Sequence, residues 1–356
     1  MTAPSQVPPA IEVSSLVKSF ASTPAVDDVS LRVEAGTIVA LLGPSGSGKT
    51  TLLRMIAGFE TPDAGTISVG GRTVLAPGVM VEPEQRRIGM VFQQGALFPH
   101  LTVGANVAFG ATGSHRVREC LALVELAHRE KAFPHELSGG ERQRVALAHA
   151  LAADPAVVLL DEPFAALDAS LRESLREEVA RILRSAGATA LLVTHDQAEA
   201  LSLADSVAVM REGRLEQFGT PEDVYERPRT RWIAEFLGEA NVLPGSAGEG
   251  LAVCELGRFA VGAELRGDVE VVVRPESISI DHAGRRGADA DGIVVARSFY
   301  GHDQLVSVEL ASGLRLRSRG LGFPAWHPGD RVSVSVAGPV SALGPDQSPE
   351  RAGTAR

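Results

Sequence analysis

The stretch GPSGSGKT, residues 43–50, combines closely spaced glycines with a lysine and a hydroxyl residue. It follows the apolar run TIVALL and precedes KTTLLRMIAG, so it lies between a predicted strand and a predicted helix. There the glycines allow successive backbone N–H groups to surround the α- and β-phosphates of a nucleotide. Lys49 would reach the β- and γ-phosphates, and the Thr50 hydroxyl would bind Mg²⁺. A tight turn with a surface lysine is the alternative. The residues that we assign to nucleotide binding in this phosphate loop are Gly43, Pro44, Ser45, Gly46, Ser47, Gly48, Lys49, Thr50 and Thr51.

Two adjacent carboxylates, Asp161 and Glu162, follow the apolar run AVVLL. This run is typical of a parallel strand buried on both faces, and ligands of such sheets bind outside the carboxyl ends of the strands. Asp161 is therefore predicted to bind Mg²⁺, directly or through water. Glu162 would face the other way and polarise a water in line with the γ-phosphate, because neighbouring strand residues point to opposite sides. A helix-capping acid followed by a surface glutamate is the alternative.

Three further side chains are candidates for the same site. His195 ends the apolar run TALLVTH, which we expect to be a sheet neighbour of the strand carrying Asp161, so that the imidazole could donate to the γ-phosphate. A packed or capping histidine is the alternative. Gln93, in VFQQGALFPH, is either a ligand of the site or a solvated loop residue. Phe20 is either a core residue or a face on which adenine stacks.

A second glycine pair opens the helical stretch LSGGERQR, residues 137–144. Each glycine inside a helix costs about 1 kcal/mol relative to alanine. Ser138 and Glu141 have the spacing of a capping box, but such a cap does not require two glycines. Bare backbone N–H groups at a helix start, together with the helix dipole, form an anion site. The chain therefore carries two predicted phosphate sites, and the second is interpreted as serving ATP bound to another copy.

The composition limits the class of protein. The chain has 356 residues, a net charge of −10 and a pI near 5.5, which argues against a nucleic-acid binder that depends on phosphate contacts. Cys120 and Cys254 lie far apart without a CxxC pattern, which suits a reducing compartment and provides no zinc site. No signal peptide and no apolar run of roughly 18–20 residues is evident. We therefore expect any membrane-spanning part to come from other chains.

The pattern of apolar residues divides the chain in two. From Ile11 to about Gly238, short apolar strands alternate with amphipathic helices, which predicts an α/β fold with a mostly parallel sheet. After Gly238, strands with alternating hydrophobicity predict a small all-β barrel or sandwich. The expected organisation is an ATP-binding domain over 1–238, a β domain over 239–344 and a disordered tail over 345–356.

The motifs GPSGSGKTT, LSGGERQR, VVLLDEP, ALD (166–168) and TH (194–195), in this order and spacing, resemble the ATP-binding subunit of an ABC transporter. The resemblance covers residues 11–238 and implies a P-loop NTPase of the ABC cassette type that hydrolyses ATP with Mg²⁺. It also implies a head-to-tail homodimer that encloses two ATP molecules. Such a dimer acts on two membrane permease subunits at the cytoplasmic face of the membrane, with an extracytoplasmic substrate-binding protein as an indirect partner.

The resemblance implies roles for the matching residues outside the phosphate loop. Ser138, Gly139 and Gly140 would close over the γ-phosphate of a nucleotide held by the partner subunit. Gln93 would sense Mg²⁺ and relay closure to the membrane partner. His195 would contact the γ-phosphate.

Two further positions match the family at the edge of the nucleotide site. Phe20 corresponds to the adenine-stacking aromatic residue, and Asp168 would line the dimer interface. Glu141 stands where the family often has glutamine. This substitution is common in such subunits and is not interpreted as a loss of activity.

The C-terminal part resembles the TOBE-like regulatory domain of binding-protein-dependent importers, through VVVRPESI (271–278) and the run that begins SFYGHD (298–303). Within that class, APGVMVEPEQRR (76–87) and FYGHD resemble ferric-ion importers more than sugar importers. His302 and Asp303 are possible metal ligands, but two adjacent residues do not make a site. Polyamine, thiamine and sulfonate importers share much of the pattern and remain alternatives.

Soluble ABC ATPases of DNA repair or translation are the remote alternatives. The first kind needs a long coiled coil or zinc modules between the phosphate loop and LSGGERQR, and residues 51–136 contain neither heptads nor cysteine pairs. The second kind carries two cassettes and basic linkers, whereas this chain has one cassette and is acidic. Both alternatives are therefore disfavoured.

Overall fold

A computed structural model describes residues 8–93, 97–165, 169–284 and 288–344. The chain forms two compact units, an N-terminal unit that ends at Pro221 and a C-terminal unit that begins at Glu222. This division lies upstream of residue 238, where the sequence pattern predicts the domain boundary. The predicted disordered tail over 345–356 lies outside the described residues.

The N-terminal unit alternates strands and helices. Its strands are β1 (Ile11–Phe20), β2 (Thr23–Val33), β3 (Ile38–Leu42), β4 (Ala64–Val69), β5 (Arg72–Ala76), β6 (Val79–Met80), β7 (Ile88–Val91), β8 (Val157–Asp161), β9 (Ala190–Thr194), β10 (Ser206–Arg211) and β11 (Arg214–Gly219). Its α-helices are α1 (Lys49–Ala57), α2 (Val103–Ala108), α3 (Ser114–Leu123), α4 (Gly139–Ala152), α5 (Ala169–Ser185) and α6 (Gln197–Leu203). No helix in the described part of the chain is long and apolar enough to cross a membrane.

The larger sheet of this unit is mostly parallel, which confirms the predicted fold class. Its strand order is β11-β10-β3-β9-β8-β7, and only the edge strand β11 runs antiparallel to its neighbour. Every residue of β3, β8 and β9 is buried, because helices and the second sheet cover both faces. The three strands run parallel, so their carboxyl ends meet at one edge of the sheet.

A second, antiparallel sheet packs in the same unit, and the sequence analysis did not resolve it. Its order is β2-β1-β4-β5-β6. Helix α1 lies in a core shared with both sheets, where Leu52, Leu53 and Ile56 are fully buried beside Ile11 and Val157. Burial of each such side chain contributes about 1.5–3 kcal/mol, so this core fixes the helix that follows the phosphate loop.

The C-terminal unit consists mainly of antiparallel strands, in agreement with the predicted β domain. Its strands are β12 (Asn241–Gly248), β13 (Leu251–Cys254), β14 (Gly257–Ala260), β15 (Gly267–Val273), β16 (Ile278–His282), β17 (Ala290–Phe299), β18 (Asp303–Leu310), β19 (Arg315–Leu321), β20 (Arg331–Val336) and β21 (Val340–Leu343). They form two five-stranded sheets, β14-β13-β12-β15-β21 and β16-β20-β17-β18-β19, around one apolar core. The buried Asn241 amide links the sheets, since it donates to the carbonyl oxygens of Val273 and Arg317.

Helix α7 (Pro221–Glu226) lies at the start of this unit, and α8 (Arg231–Phe236) belongs to it. Contacts of Arg274, in the segment VVVRPESI, explain why these two helices belong with the β strands. Its buried guanidinium donates to the carbonyl oxygens of Tyr225 and Ala234 at 2.8 and 2.7 Å and lies 4.0 Å from the Tyr225 ring. Burial, together with a hydrogen bond to Glu276, raises the pKa of Tyr225 to about 12. Both helices are therefore held by a residue of the β domain.

A buried arginine secures the end of α1. Arg86 is 2% exposed, and its guanidinium donates to the carbonyl oxygens of Met55, Ile56 and Val81 at 2.8–2.9 Å. Two of these carbonyls, those of Met55 and Ile56, belong to the last turn of the helix, where no later turn supplies donors, although Met55 O also accepts the Gly58 N–H at 3.2 Å. The arginine thereby connects α1 with the segment that leads into β7.

We predict that Arg86→Ala lowers the free energy of unfolding by about 3 kcal/mol, because it removes the buried donor to the Ile56 and Val81 carbonyls and one of the two donors to Met55 O. The neighbouring Arg87 is exposed, so Arg87→Ala should change stability by no more than about 0.5 kcal/mol. Urea unfolding followed by circular dichroism compares the two variants. Equal effects of the two substitutions would contradict the role assigned to Arg86.

Candidate functional site

The phosphate loop connects β3 to α1 and lies tightly against neighbouring backbone. Gly48 has φ +98°, and a Cβ there would clash with the carbonyl oxygen of Ala25. A Cβ at Gly43 would clash with the carbonyl oxygen of Met210. Only glycine fits both positions, so the loop backbone is left bare where a phosphate would approach.

The ammonium group of Lys49 lies inside this loop. The residue is 5% exposed, and its Nζ donates to the carbonyl oxygens of Gly43 and Pro44 at 2.7 and 2.9 Å. Burial lowers the pKa of Lys49, while the carboxylates of Glu162 and Asp161 act against that shift. A buried cation held by two uncharged carbonyls can exchange them for the oxygens of an anionic ligand.

Thr50 and Asp161 meet at the carboxyl edge of the sheet. The Thr50 hydroxyl donates to Asp161 Oδ1 at 3.3 Å, and Asp161 is 7% exposed at the end of β8. Burial raises the pKa of Asp161, and the Thr50 hydrogen bond opposes the shift. A hydroxyl and a carboxylate are hard oxygen donors of the kind that Mg²⁺ prefers, so these two residues fit the predicted metal.

Glu162 follows Asp161 but contacts a different set of side chains. Its Oε2 accepts a hydrogen bond from Gln93 Nε2 at 3.4 Å, and its Oε1 lies 3.3 Å from His195 Nδ1. The backbone of Glu162 has φ +44°, which is uncommon for a residue with a side chain and often occurs at functional sites. The strand turns sharply here, and the carboxylate lies between the glutamine and the histidine.

The strand order of the sheet explains why His195 lies beside Glu162. Strand β9 pairs in parallel with β8, with Val193 opposite Asp161, so Thr194 and His195 continue to the same edge. The expectation that the two strands are neighbours is confirmed. The imidazole is 54% exposed, which disfavours the packed-histidine alternative.

The turn at the start of α4 is a capping box, as its spacing predicts. Ser138 Oγ accepts the Glu141 N–H at 3.2 Å, and the Glu141 carboxylate accepts the Ser138 N–H at 2.8 Å. That backbone hydrogen bond is the main reason why the pKa of Glu141 is lowered. Gly139 and Gly140 form the first two positions of the helix. In the described part of the chain, the hydrogen bonds of Ser138 stay within this first turn.

The sequence analysis missed Arg129, whose Nε donates to Glu141 Oε1 at 3.0 Å. This pair places a positive charge beside the carboxylate in the glycine turn. The two residues are twelve positions apart, separated by a loop and the 3₁₀ turn Pro134–Glu136, so no helical or strand periodicity relates them. Only the folded structure reveals the pair.

The remaining candidates have mixed outcomes. Phe20 ends β1 with 49% of its surface exposed, so it is not a core residue, and Lys18 Nζ lies 5.2 Å from its ring centre. Asp168 lies outside the described residues. In the described segments, no group of three or more His, Cys, Asp and Glu side chains is arranged to hold a metal ion, so the possible ligands His302 and Asp303 have no third partner.

Comparison with known proteins identifies the family. The ABC transporter family model matches residues 26–165, and the TOBE domain model matches residues 271–339. An Fe(3+) ions import ATP-binding protein of Pseudomonas fluorescens is 48% identical and covers 94% of this chain and 98% of its own. This chain belongs to the ABC transporter ATP-binding proteins. Proteins of the same name from Rhodococcus jostii and Mesorhizobium japonicum are 48% and 45% identical to this ABC ATPase, over 94% and 92% of its length and 98% of theirs.

Solved structures support the same assignment. CbiO1 of Clostridium perfringens, part of the ABC transporter complex CbiONQ, matches with a TM-score of 0.55 and 29% identity over 61% of this chain and 90% of its own. A dimeric ATP-binding cassette in a post-hydrolysis state with ADP and Pi matches with a TM-score of 0.50 and 29% identity over 59% of this chain and 98% of its own. The protein is an ATPase with an ABC cassette followed by a TOBE domain.

We predict that Lys49→Ala weakens ATP binding about a hundredfold, since charge-assisted contacts of this kind contribute roughly 3 kcal/mol. Titration with a fluorescent ATP analogue measures the change. Lys131→Ala, which removes an exposed lysine, is the matched control and should leave affinity unchanged. Wild-type affinity of Lys49→Ala would show that this ammonium does not bind the phosphates.

Proposed function

We propose that this ABC ATPase powers a ferric-ion importer. Relatives named Fe(3+) ions import ATP-binding proteins match it over nearly their whole length, through both the cassette and the C-terminal domain. The segments APGVMVEPEQRR and FYGHD favour the same cargo. The cargo crosses the membrane through other chains, and this chain supplies the energy.

The observation that carries the proposed mechanism is the convergence of five side chains at one sheet edge. Lys49 and Thr50 follow β3, Asp161 ends β8 with Glu162 directly after it, and His195 follows β9. Residues of the phosphate loop bind the phosphates of ATP through their backbone N–H groups, with Thr51 beside Thr50 at the start of α1. Thr50, Asp161 and Gln93 would hold Mg²⁺, which when bound neutralises charge on the phosphate oxygens.

Glu162 prepares the water for attack. Its carboxylate accepts a proton from that water as the oxygen bonds to the γ-phosphorus and the bond to the ADP oxygen breaks. Gln93 and His195 contact the two carboxylate oxygens and hold the group in place. Lys49 and His195 stabilise charge on the transferring phosphoryl group, and Phe20 provides an exposed ring for adenine.

A second copy of the chain completes the site. In the Ser138–Gly139–Gly140 turn, the Gly139 and Gly140 N–H groups point out at a helix start, while the Ser138 N–H donates to Glu141, and the first phosphate site uses none of them. Arg129 offsets the Glu141 charge and so keeps the turn attractive to a phosphate. We propose a head-to-tail homodimer in which this turn contacts the γ-phosphate of the partner's ATP and Asp168 lines the interface. The dimeric state of the structural neighbour bound to ADP and Pi supports a dimer.

The assembly that follows contains two ATPase subunits and two membrane permease subunits. The two ATPase subunits lie at the cytoplasmic face of the membrane, and Gln93 relays closure of their dimer to the permeases. An extracytoplasmic binding protein delivers the cargo, and nucleic acid has no part in the cycle.

We predict that Glu162→Gln lowers kcat by about 10²–10³-fold and accumulates an ATP-loaded dimer, because the amide cannot accept the water's proton. Phosphate release measures turnover, and analytical ultracentrifugation with ATP measures the dimer. Glu249→Gln is the matched control, since Glu249 is an exposed glutamate with a similar φ of +54° in the C-terminal unit. Wild-type turnover of Glu162→Gln would exclude Glu162 as the base.

We predict that cells carrying Glu162→Gln in place of the wild-type chain lose high-affinity uptake of labelled ferric ion. Cells carrying Glu249→Gln should keep it, because their ATPase is intact. Unchanged iron uptake in the Glu162→Gln cells, together with a confirmed loss of ATPase activity, would exclude ferric ion as the cargo. Polyamine, thiamine and sulfonate uptake would then be measured in the same cells.

A further inference from the structure

A buried carboxyl group lies behind the site and has no part in the mechanism proposed above. Glu199, in α6, is 4% exposed, and its Oε2 accepts a short hydrogen bond from the hydroxyl of Thr194. Thr194 is 2% exposed and is the last residue of β9, directly before His195. A buried acid is costly unless it is well bonded, so this contact joins the strand end firmly to the helix.

The same hydroxyl also fixes the turn between the two elements. Thr194 Oγ1 accepts the backbone N–H of Asp196 at 3.0 Å while it donates to Glu199. Asp196 in turn caps α6, because its carboxylate accepts the N–H groups of Ala198 and Glu199 at 2.8 and 3.2 Å. The hydrogen bonds of Thr194 and those of Asp196 therefore fix the backbone on both sides of His195.

His195 depends on this turn for its orientation. Its imidazole is 54% exposed, so little packing fixes the ring, and its Nδ1 lies 3.3 Å from Glu162 Oε1. The strand before it is rigid, since β9 pairs with β3 on one side and β8 on the other. The turn beyond Thr194 lacks such pairing and is held by the side chains of Thr194, Asp196 and Glu199, with Arg172 of α5 lying 3.7 Å from the Asp196 carboxylate.

We propose that Glu199 is a positioning residue, which through Thr194 holds the turn that carries His195 and so aims the imidazole at Glu162 and the γ-phosphate. The proposal rests on the role proposed for His195. Burial raises the pKa of Glu199, and the Thr194 hydroxyl, Arg176 and Arg172 oppose the shift. Both the charged and the neutral carboxyl group have an oxygen that can accept the hydrogen bond from the Thr194 hydroxyl. The turn is therefore held by the presence of an acceptor atom at position 199 and not by its charge.

This argument distinguishes two substitutions at the same position. Glu199→Gln keeps a carbonyl oxygen as acceptor and should keep kcat within about twofold of wild type. Glu199→Ala removes the acceptor and should lower kcat about tenfold with the KM for ATP unchanged. Thr194→Val, which keeps the shape and removes the hydroxyl, should reproduce Glu199→Ala. Ser202→Ala, on the exposed side of α6, is the control and should match wild type.

Hydrogen exchange of the full-length protein tests, independently of activity, whether Glu199 and Thr194 hold the turn at Asp196; we call this contact the anchor. The Asp196 N–H should exchange at least tenfold faster in Glu199→Ala and Thr194→Val, while Glu199→Gln and Ser202→Ala retain its protection. Unchanged protection in both Glu199→Ala and Thr194→Val would overturn the anchoring. Because Thr194→Val also removes the oxygen that accepts the Asp196 N–H, Glu199→Leu, which fills the buried site without an acceptor, replaces Glu199→Ala if that variant does not fold.

A double-mutant cycle tests whether Glu199 acts through His195. In a His195→Ala background, Glu199→Ala should cause no further loss of kcat. An equal loss with and without His195 would overturn the proposal. If His195→Ala alone has wild-type activity, the role proposed for His195 fails, and with it any effect of Glu199 on the reaction. That failure is distinct from a failure of the anchor, which the exchange of Asp196 reports separately.

Discussion

The parallel pairing of β3, β9 and β8 is the constraint on which the site depends. Backbone hydrogen bonds in register bring three carboxyl ends to one edge, with Leu42 beside Thr194 and Val193 beside Asp161. The residues that follow these strands come from distant parts of the sequence, yet they need no long side chains to meet. A sheet buried on both faces has little freedom to shift, so the edge is a rigid base for the chemistry.

Charge at this edge is arranged by burial. Lys49 and Asp161 are almost inaccessible, and burial acts against the charged form of both, while Glu162 and His195 are more open. In the proposed function the buried pair binds phosphate and metal, and charges interact strongly where water is excluded. The more open pair is proposed to orient the attacking water.

Buried polar side chains hold the connections that hydrophobic packing leaves free. Arg86 bonds the end of α1, Arg274 bonds the carbonyls of two helices in the C-terminal unit, and Glu199 bonds the strand end before His195. Each joins a helix to a segment outside that helix. Removing one member of such a contact leaves the other buried and unpaired, which costs more than the bond itself contributed.

The sequence by itself determined the local chemistry: the phosphate loop, the carboxylates after β8, the capping box of Ser138 and the change from α/β to all-β. These features depend on residue types at short spacing, so they form from neighbouring residues and can be recognised without knowledge of long-range contacts. Only the tertiary structure decided the contacts between distant segments. The second sheet, the Arg129–Glu141 pair and the hold of Arg274 on helices before residue 238 belong to that class. Such contacts arise where packing brings segments together, and no sequence period encodes them.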